Sequence, residues 1–548
     1  MRRALFVCHG ARFGSEWCDC FLVRHLSQES VGTLVTRYIL GCLLLVNLVN
    51  VGAIAAAENE PFNLLVVMTD EHNFRTLGCY RETLSPQQAL MWGPAVVETP
   101  NIDWLAEQGA ICTSFYATTP VCSPSRAALF SGRYPQNTPV VTNNIPLDDK
   151  IITYAELLRR EGYATGYAGK WHLDGNGKPQ WAPKRQFGFE DNRFMFNRGH
   201  WKKFEITDEG PRVSARNASG APSYGVDGAD AKSFSTDFLT DRTIDFIQAH
   251  HDEPFCYLVS LPDPHGPDTV RAPYDTMYAG QVYSAPASSK KPTKGLPSWG
   301  QKTQGGFNMA KYYGMVRCID DNVGKILQCL RDNKLIERTI IVFTSDHGDL
   351  RGEHFRHNKG VPYEGSCRIP FLVYYPGKVK PGTRIDQALG SVDFLPTMMS
   401  MMGVTTVGSE EGRNASRLFT GGPVDDWRDI AFLRGTGGEQ GWLMAVTNRY
   451  KFVLSPSDPP WLFDLDRDPD EITNFFDHPG YREIVQQLAT QLRAYGVEHG
   501  DPFIQVARIK ADLEWSIRGT GPYVGQPSKP ARPAARKRKK SAKKKSKE

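Results

Sequence analysis

The stretch Leu64-Leu65-Val66-Val67-Met68-Thr69-Asp70-Glu71 joins a short apolar run directly to two acidic residues. The run at 64–68 has the length and branched aliphatic content of a buried β-strand. Further apolar runs of this kind occur at 255–260, 339–344 and 371–375. Segments with helical periodicity separate them, and this alternation predicts an α/β domain around a largely parallel sheet. Ligands of such sheets bind beyond the carboxyl ends of the strands.

Three segments between these runs are predicted to be helices. One covers 100–108, between a starting Pro100 and Gly109, and another covers 154–160 and ends at Gly162. The third is longer and carries its apolar residues on one face, namely Tyr312, Met315, Val316, Ile319, Val323, Ile326 and Leu330.

The pattern changes near Asp429, where short strands replace the alternation of strands and helices. Strands are predicted at 442–446, 450–454 and 461–464, followed by a helix over 481–493. This order is typical of a smaller antiparallel α+β domain.

Charge is distributed unevenly along the 548 residues, whose formal net charge is +5. Residues 527–548 carry +10 and residues 1–57 carry +2, so residues 58–526 carry −7. An acidic body does not fit a nucleic-acid-binding domain, because such a domain presents positive charge on its folded surface. The tail at 527–548 has no apolar periodicity and is predicted to be disordered.

The N-terminal region, 1–57, is predicted to be a targeting segment. Residues 38–57 carry no charge and end in Ala55-Ala56-Ala57 before Glu58, which is typical of a signal peptide with its cleavage site. We therefore expect export to the periplasm or the medium, without stable membrane insertion after cleavage. The alternative is an uncleaved membrane anchor.

The predicted organisation is a targeting region at 1–57, an α/β domain at 58–428, an α+β subdomain at 429–526 and a basic tail at 527–548. Seven cysteines follow the targeting region, namely Cys79, Cys112, Cys122, Cys256, Cys318, Cys329 and Cys367. An odd number in an exported protein implies that at least one is free or chemically altered. The sequence leaves disulfide pairing among the others open.

Acidic residues follow two of the predicted strands. Asp70-Glu71 follows the first strand, and Asp346-His347 follows the strand at 339–344. Such pairs can converge on one divalent cation. Either pair alone also fits a helix cap or a turn.

The segment Cys122-Ser123-Pro124-Ser125-Arg126 precedes an apolar helical stretch that ends at Gly132-Arg133. This motif resembles the signature of the type I sulfatases. Further blocks resemble that family in the same order: Gly169-Lys170-Trp171-His172-Leu173, Pro264-His265-Gly266-Pro267, Ser345-Asp346-His347-Gly348, Gly352-Glu353-His354, Lys359, Tyr363-Glu364, Arg368-Ile369-Pro370 and Trp461-Leu462-Phe463-Asp464-Leu465. The resemblance spans roughly 60–500. It implies an alkaline-phosphatase-like α/β/α sandwich with a smaller C-terminal α+β domain.

The resemblance implies that Cys122 is oxidised to formylglycine by a maturation enzyme that reads Cys-x-Pro-x-Arg, which would account for the odd cysteine. A hydrated aldehyde has two hydroxyls on one carbon. One attacks sulfur and expels the alcohol, and the second collapses to the aldehyde and releases sulfate. Because proline suits the first helical position, Pro124 predicts that the nucleophile lies at a helix N-terminus, where an anion is favoured.

The family's roles transfer to the matching residues. Arg126 would fix the formylglycine hydroxyl, and Lys170 and Lys359 would hold sulfate oxygens. His172 would be the base for the collapse, and His265 the acid for the leaving oxygen.

The predicted metal ligands are Asp70, Glu71, Asp346, His347 and the residue derived from Cys122. Many relatives have Asp-Asp and Asp-Asn where this chain has Asp70-Glu71 and Asp346-His347, and the Asp-His pair is similar to iduronate-type sulfatases. Ca²⁺ is the first expectation because carboxylates suit a hard ion, while an imidazole ligand leaves Mn²⁺ or Zn²⁺ open. Glu71 could instead point elsewhere, since its side chain is one methylene longer.

The resulting hypothesis is an exported sulfuric ester hydrolase acting on a sulfated polysaccharide or its oligosaccharides. Trp181, Arg198, Trp201, Lys202 and Lys203, in the long segment between His172 and His265, are candidates to line a pocket for an anionic sugar. One alternative is a phosphonate monoester or phosphodiester hydrolase of the same superfamily. A different class of alternative is an inactive glycan-binding or polyanion-binding protein.

Overall fold

The apolar run at 64–68 lies within an interior strand of an eight-stranded sheet in the computed structural model. The structure describes residues 61–290, 296–301, 307–424, 427–438, 441–520, 522–523 and 525. The predicted targeting region at 1–57 and the predicted basic tail at 527–548 lie outside these residues.

Sixteen strands occur in the described part of the chain. In order they are β1 (Asn63–Asp70), β2 (Ala110–Cys112), β3 (Phe115–Tyr116), β4 (Ala164–Lys170), β5 (Asp191–Phe196), β6 (Phe204–Thr207), β7 (Gly210–Val213), β8 (Phe255–Pro264), β9 (Thr339–Ser345), β10 (Phe371–Tyr374), β11 (Thr383–Ile385), β12 (Leu389–Gly390), β13 (Ala431–Arg434), β14 (Leu443–Val446), β15 (Tyr450–Leu454) and β16 (Trp461–Asp464).

The α-helices of the described residues are α1 (Gly78–Arg81), α2 (Pro86–Ala89), α3 (Pro100–Gln108), α4 (Cys122–Ser131), α5 (Tyr154–Arg160), α6 (Ser235–Ala249), α7 (Tyr274–Met277), α8 (Met309–Asp332), α9 (Glu364–Cys367), α10 (Phe394–Met401), α11 (Ser416–Thr420), α12 (Arg482–Glu498) and α13 (Ala507–Arg518). The predicted helices at 100–108 and 154–160 match α3 and α5, and the predicted long helix is α8.

The main sheet has the strand order β11-β2-β10-β9-β1-β8-β4-β5. The strands from β9 to β5 are mutually parallel, and β10 runs antiparallel to both of its neighbours, β9 and β2. The prediction of a largely parallel sheet is confirmed. Because β1 lies between β8 and β9, the carboxyl ends of these three strands share one edge.

Helices cover both faces of this sheet. On β1, Leu65 and Val67 belong to one apolar cluster, which includes residues of α6 and α8. Leu64, Val66 and Met68 belong to a second cluster, which includes residues of α4, α5 and α10. Burial on both faces is why this strand is continuously apolar instead of alternating with polar residues. The fold is the predicted α/β/α sandwich.

The C-terminal part is a smaller α+β domain. Strands β13 to β16 form a four-stranded antiparallel sheet, and apolar residues of α12 and α13 pack on it. The strands predicted at 442–446, 450–454 and 461–464 are confirmed, whereas α13 was not predicted. The exact domain boundaries, 58–428 and 429–526, stay a prediction.

The C-terminal sheet contacts the loop that carries Lys359. Trp442 donates a hydrogen bond from Nε1 to the carbonyl oxygen of Gly360 at 3.0 Å. The buried Lys451 binds Glu364 at 3.1 Å and Glu471 at 2.5 Å. These contacts fix the segment between Lys359 and α9 to the C-terminal sheet.

Membrane-spanning helices and disulfides were the remaining open questions from the sequence. Within the described ranges, no helix combines the length and apolar character that a membrane span requires. The seven cysteines after residue 57 are all buried and free, so none of them forms a disulfide.

Candidate functional site

The two predicted acidic strand ends converge at the carboxyl edge of the sheet. Asp70 is the last residue of β1, and Asp346 follows β9, its parallel neighbour. The Asp346 amide donates to the carbonyl oxygen of Thr69 at 3.1 Å, and Asp346 Oδ1 accepts a hydrogen bond from the Glu71 amide at 3.2 Å. Glu71 has a positive φ of 63°, which turns the chain sharply away from the strand. Strand pairing thus places both carboxylates side by side.

Cys122 lies at the first position of α4, after the extended residue Val121. The expectation that Pro124 occupies the first helical position is wrong, since the helix begins two residues earlier. Proline is tolerated there because N–H groups in the first helical turn have no partner within the helix. The inference drawn from Pro124, that Cys122 lies at a helix N-terminus, holds in the structure.

Four buried residues form a cluster suited to a cation. Asp70, Cys122, Asp346 and His347 each offer one ligand atom, and these atoms all lie within 4.8 Å of one another. His347 Nε2 is 3.1 Å from Cys122 Sγ, and its Nδ1 lies 3.0 Å from the carbonyl oxygen of Gly348, which orients the ring. Two carboxylates and an imidazole form a chemically suitable donor set for a divalent cation.

Arg126 is fully buried beside this cluster. Its Nε donates to Asp346 Oδ2 at 2.9 Å, and its NH2 group lies 3.9 Å from Asp70 Oδ2. Its NH1 group donates to the carbonyl oxygen of Lys170 at 2.5 Å and to Ser260 Oγ at 2.8 Å. The guanidinium therefore balances two carboxylates and links α4 to β4, β8 and the end of β9.

Lys170, the last residue of β4, points into the same cluster. Its Nζ donates to Asp70 Oδ2, to Cys122 Sγ at 3.5 Å and toward His200 Nε2 at 2.9 Å. Burial alone would raise the pKa of Asp70, but the charge of Lys170 holds it far below its ordinary range. Asp70 is consequently ionised throughout the physiological pH range.

Glu71 lies outside the cluster of four. Its Oε2 is 2.8 Å from His265 Nε2, and its Oε1 is 3.2 Å from Lys359 Nζ. Lys359 Nζ is also 2.9 Å from His265 Nε2. These three residues form a second group next to Cys122, in which Glu71 Oε1 is buried and accepts no hydrogen bond from the described residues. The structure thus does not bring Glu71 together with the other predicted metal ligands, and its ligand role stays a prediction.

His172 lies beside the start of α4 with a positive φ of 60°. Its Nε2 is 3.3 Å from Asn144 Oδ1, and its Nδ1 is buried with no hydrogen-bond partner among the described residues. Burial lowers the pKa of His172 to about 4, so the ring is neutral at neutral pH. A neutral imidazole with an unoccupied nitrogen can accept a proton.

Cys122 differs electrostatically from the other cysteines. Burial would raise the pKa of its thiol, but Lys170 and Lys359 hold it well below its usual value. Burial raises the pKa of the other six described thiols, those of Cys79, Cys112, Cys256, Cys318, Cys329 and Cys367. Cys122 is therefore the position built to hold negative charge.

Comparison with known proteins agrees with this geometry. The model of the sulfatase family matches residues 63–404. The chain belongs to the sulfatase family. A second family model, N-sulphoglucosamine sulphohydrolase, C-terminal, matches residues 352–498. The protein is thus a sulfatase, a hydrolase of sulfate esters.

Individual relatives of this sulfatase have low sequence identity to it, but the matches cover most of both chains. The ulvan-active sulfatase of Formosa agariphila is 27% identical over 465 residues, which cover 81% of this chain and 83% of that protein. A protein solved in complex with its substrate D-glucosamine-2-N,6-O-disulfate has a TM-score of 0.65 at 20% identity, covering 81% of this chain and 99% of that one. The phosphonate monoester hydrolase of Agrobacterium radiobacter has a TM-score of 0.61 at 23% identity, and the match covers 80% of this chain and 96% of that one. Both solved structures share the fold of the sulfatase.

His200 is a site residue that the sequence did not reveal. Its ring stacks on that of His265, with centroids 3.4 Å apart and planes 8° from parallel. Its Nε2 is 2.9 Å from Lys170 Nζ and 3.6 Å from Asp70 Oδ2. His200 therefore links the two groups around Cys122. It lies in the long segment after His172, where no motif marks it.

The other candidates from that segment do not line a pocket at the site. Trp181 stacks edge-on against Phe196, and Trp201 donates its Nε1 hydrogen to the carbonyl oxygen of Arg198 at 2.9 Å. Lys202 is buried and donates to Asp263 at 2.5 Å. Lys203 donates to the carbonyl oxygen of Asp227 at 3.1 Å. Packing and internal pairing therefore account for these side chains.

Proposed function

We propose that this sulfatase removes sulfate from a sulfated carbohydrate by means of a formylglycine derived from Cys122. The observation that supports this most strongly is the convergence of Cys122 with Asp70, Lys170, Asp346 and His347 at the start of α4. The proposed nucleophile, the residues proposed to hold a cation and the charge of Lys170 thus belong to one buried cluster.

The residues proposed to hold a divalent cation are Asp70, Asp346, His347 and the residue derived from Cys122. Ca²⁺ is the proposed ion, with Mn²⁺ or Zn²⁺ as alternatives because His347 offers a nitrogen ligand. When bound, such an ion supplies Lewis-acid polarisation of a sulfate oxygen and favours ionisation of the nucleophile. Glu71, whose Oε1 is paired with Lys359 at 3.2 Å, is an additional candidate ligand because its amide donates to Asp346 Oδ1 and so holds it next to the cluster.

The positive side chains are proposed to hold the sulfate group and the nucleophile. Lys170 Nζ reaches within 3.5 Å of Cys122 Sγ, so it can hold a sulfate oxygen as well as the nucleophile. Lys359 Nζ lies 3.2 Å from Glu71 Oε1 and 2.9 Å from His265 Nε2, on the side of the proposed acid. Burial would lower the pKa of Lys359, but Glu71 holds it well above its usual value, so the side chain stays charged. Fixed cations in a buried site stabilise the charge that develops on sulfur's oxygens without having to reorganise. Arg126, which lies on α4 four residues after Cys122 and pairs with Asp346, would fix the hydroxyl of the nucleophile.

Two histidines are proposed to move the protons. His265 Nε2 faces Glu71 and Lys359 and would donate a proton to the leaving alcohol oxygen as the S–O bond breaks. His172 Nδ1 would take the proton of the second hydroxyl during collapse to the aldehyde, which releases sulfate. The separate positions of His172 and His265 fit one acid and one base.

The carbohydrate substrate is supported by two similarities. One relative is named an ulvan-active sulfatase, and one structural neighbour was solved with a sulfated glucosamine as its substrate. Export, supported by the apolar segment at 38–57, would place the enzyme where extracellular polysaccharide occurs. The maturation enzyme that oxidises Cys122 would be its required partner.

A phosphonate monoester hydrolase is the second candidate, because one such enzyme shares the fold with a TM-score of 0.61. The same nucleophile and cation site can act on phosphorus. The test is release of sulfate and of phosphonate from matched aryl esters by protein coexpressed with a maturation enzyme.

We expect sulfate release to increase with the fraction of Cys122 that reacts as an aldehyde with a hydrazide reagent. Cys122→Ala should fold and be inactive. The Cys256→Ala variant is the matched control, because that buried thiol lies in β8 away from the cluster. Full sulfatase turnover by protein whose Cys122 is entirely thiol would reject the mechanism, and faster phosphonate release would favour the second candidate.

A further inference from the structure

A cavity of about 540 Å³ opens beside the group formed by Glu71, His265 and Lys359. It is lined by Glu71, Gly266, Pro267, Asp268, Phe307, Asn308, Asp349, Arg351, His357 and Asn358. Its wall therefore contains Glu71 and the three residues that directly follow His265. On the proposed function, His265 protonates the leaving oxygen, so this cavity lies where the alcohol part of the substrate would be held.

The guanidinium of Arg351 in the cavity wall is already paired with two carboxylates. Its NH1 group is 2.8 Å from both oxygens of Asp268, and its Nε is 2.7 Å from Asp349 Oδ2. The guanidinium lies over the ring of Tyr312, 3.8 Å from the centroid, and its side chain is only 4% exposed. A guanidinium fixed in this way is not free to bind an additional anion.

The remaining charge of the described lining is acidic. The two carboxylates of Asp268 and Asp349 outnumber the guanidinium of Arg351 in a lining that also contains His357, and the carboxylate of Glu71 is offset by Lys359 outside the lining. Asp268 is 15% exposed at its side chain, and the exposed Asn308 and Asn358 add amide groups. Such a surface accepts hydrogen bonds from hydroxyl groups and repels a second sulfate or a carboxylate. This contrasts with the cationic site for the scissile sulfate.

We infer that this cavity binds the leaving group as an uncharged, hydroxyl-bearing sugar ring and discriminates against a second anionic group at this position. The inference deepens the proposed function by naming the substrate class. It replaces the expectation of a pocket for an anionic sugar, which rested on the bases Arg198, Lys202 and Lys203 with Trp181 and Trp201. Lys202 is paired with the carboxylate of Asp263, and Lys203 donates a hydrogen bond to the backbone carbonyl oxygen of Asp227.

The test compares two aryl sulfates of nearly equal shape, 4-carbamoylphenyl sulfate and 4-carboxyphenyl sulfate. The matured full-length enzyme should show a kcat/KM for the carbamoyl ester higher by roughly tenfold at low salt, as expected for one unscreened charge at a partly buried site. Added salt should narrow the ratio, because screening weakens the repulsion. Equal rates, or faster turnover of the carboxylate, would overturn the inference while leaving the proposed function intact.

Variants assign the effect to the cavity. Asp268→Asn keeps an acceptor for the Asn308 amide and removes one negative charge, so the ratio should fall severalfold toward unity. Glu253→Gln, an exposed carboxylate before β8 at the opposite edge of the sheet, should leave the ratio unchanged. An unchanged ratio in Asp268→Asn would contradict the inference. Release of sulfate from neither ester would reject the proposed function and this inference together.

Discussion

Replacing Asp346 by Asn removes one negative charge from the buried cluster and preserves the shape of the side chain. Asp346 offers one of the four ligand atoms of the cluster, and its Oδ2 pairs with Arg126 at 2.9 Å. The variant therefore weakens the proposed cation site and also leaves Arg126 with less compensating charge. We expect sulfate release to be abolished.

The expected loss of cation affinity follows from the size of the cluster. Two unit charges 4 Å apart attract by about 4 kcal/mol at an effective dielectric constant near 20. The donor atoms lie within 4.8 Å of one another, so an ion among them would be closer to Asp346 than that. After allowing for the amide oxygen that remains, we expect the Kd for a divalent cation to rise by at least about a hundredfold, at 1.4 kcal/mol for each factor of ten.

Glu71→Gln is the matched comparison, because it removes the same charge one strand away. Its carboxylate contacts His265 and Lys359 instead of the cluster, so the Kd should rise less than about tenfold. Calorimetric titration of the cation-free proteins with Ca²⁺ and Mn²⁺ measures both values, and thermal unfolding in EDTA checks that both variants fold. Equal and complete loss of binding in the two variants would refute this ranking and make Glu71 a full ligand.

Deleting the basic tail at 527–548 should change turnover of a small aryl sulfate by less than about twofold and weaken salt-sensitive retention on anionic polymers, measured by heparin chromatography. The pKa of His172 is about 4 in the folded protein, against an ordinary value near 6.5 in the unfolded chain. Between these two values the unfolded chain binds one proton more than the folded protein at this residue. The free energy of unfolding should therefore fall by about 3 kcal/mol as the pH drops from about 6.5 to about 4. Urea unfolding at several pH values measures this dependence, which should be absent in His172→Gln. In the unaltered enzyme, kcat/KM should decrease as the pH drops below about 4. His200→Gln should lower kcat by roughly tenfold with little change in KM, while His200→Phe, which keeps the stack on His265, should recover part of it. An unaltered kcat in both His200 variants would contradict a positioning role.

The sequence was sufficient for those parts of the fold that depend on local pattern. The apolar run at 64–68 is buried on both faces and could be recognised from its composition, and the one-sided periodicity of α8 reflects packing on one face of the sheet. Strand β4 was missed because Gly166 and Gly169 break the pattern. A side chain at Gly169 would meet the carbonyl oxygen of Ser260 at 1.9 Å, so close approach to β8, and not strand propensity, selects glycine there.

Some residues of the candidate site could likewise be predicted from the sequence and others could not. Asp70 and Asp346 could be placed together because parallel neighbours end at one edge of the sheet, whereas the direction of the Glu71 side chain depends on a local positive φ that no pattern reveals. His200 was missed because its contacts with Lys170 and His265 join residues that are far apart in the chain. Contacts of that kind follow from the tertiary fold alone.

The contacts of Trp442 and Lys451 with the loop after Lys359 have a consequence for how this enzyme can be divided. One side of the active site is supported by strands encoded almost a hundred residues downstream of the loop that they hold. A fragment that ends before β13 would leave the Gly360 carbonyl and the Glu364 carboxylate without these partners, and Lys359 would lose its fixed direction toward His265. On the proposed function, the C-terminal domain therefore supports the site through the segment that follows Lys359, and we expect that exchanging this domain between relatives alters turnover as well as stability.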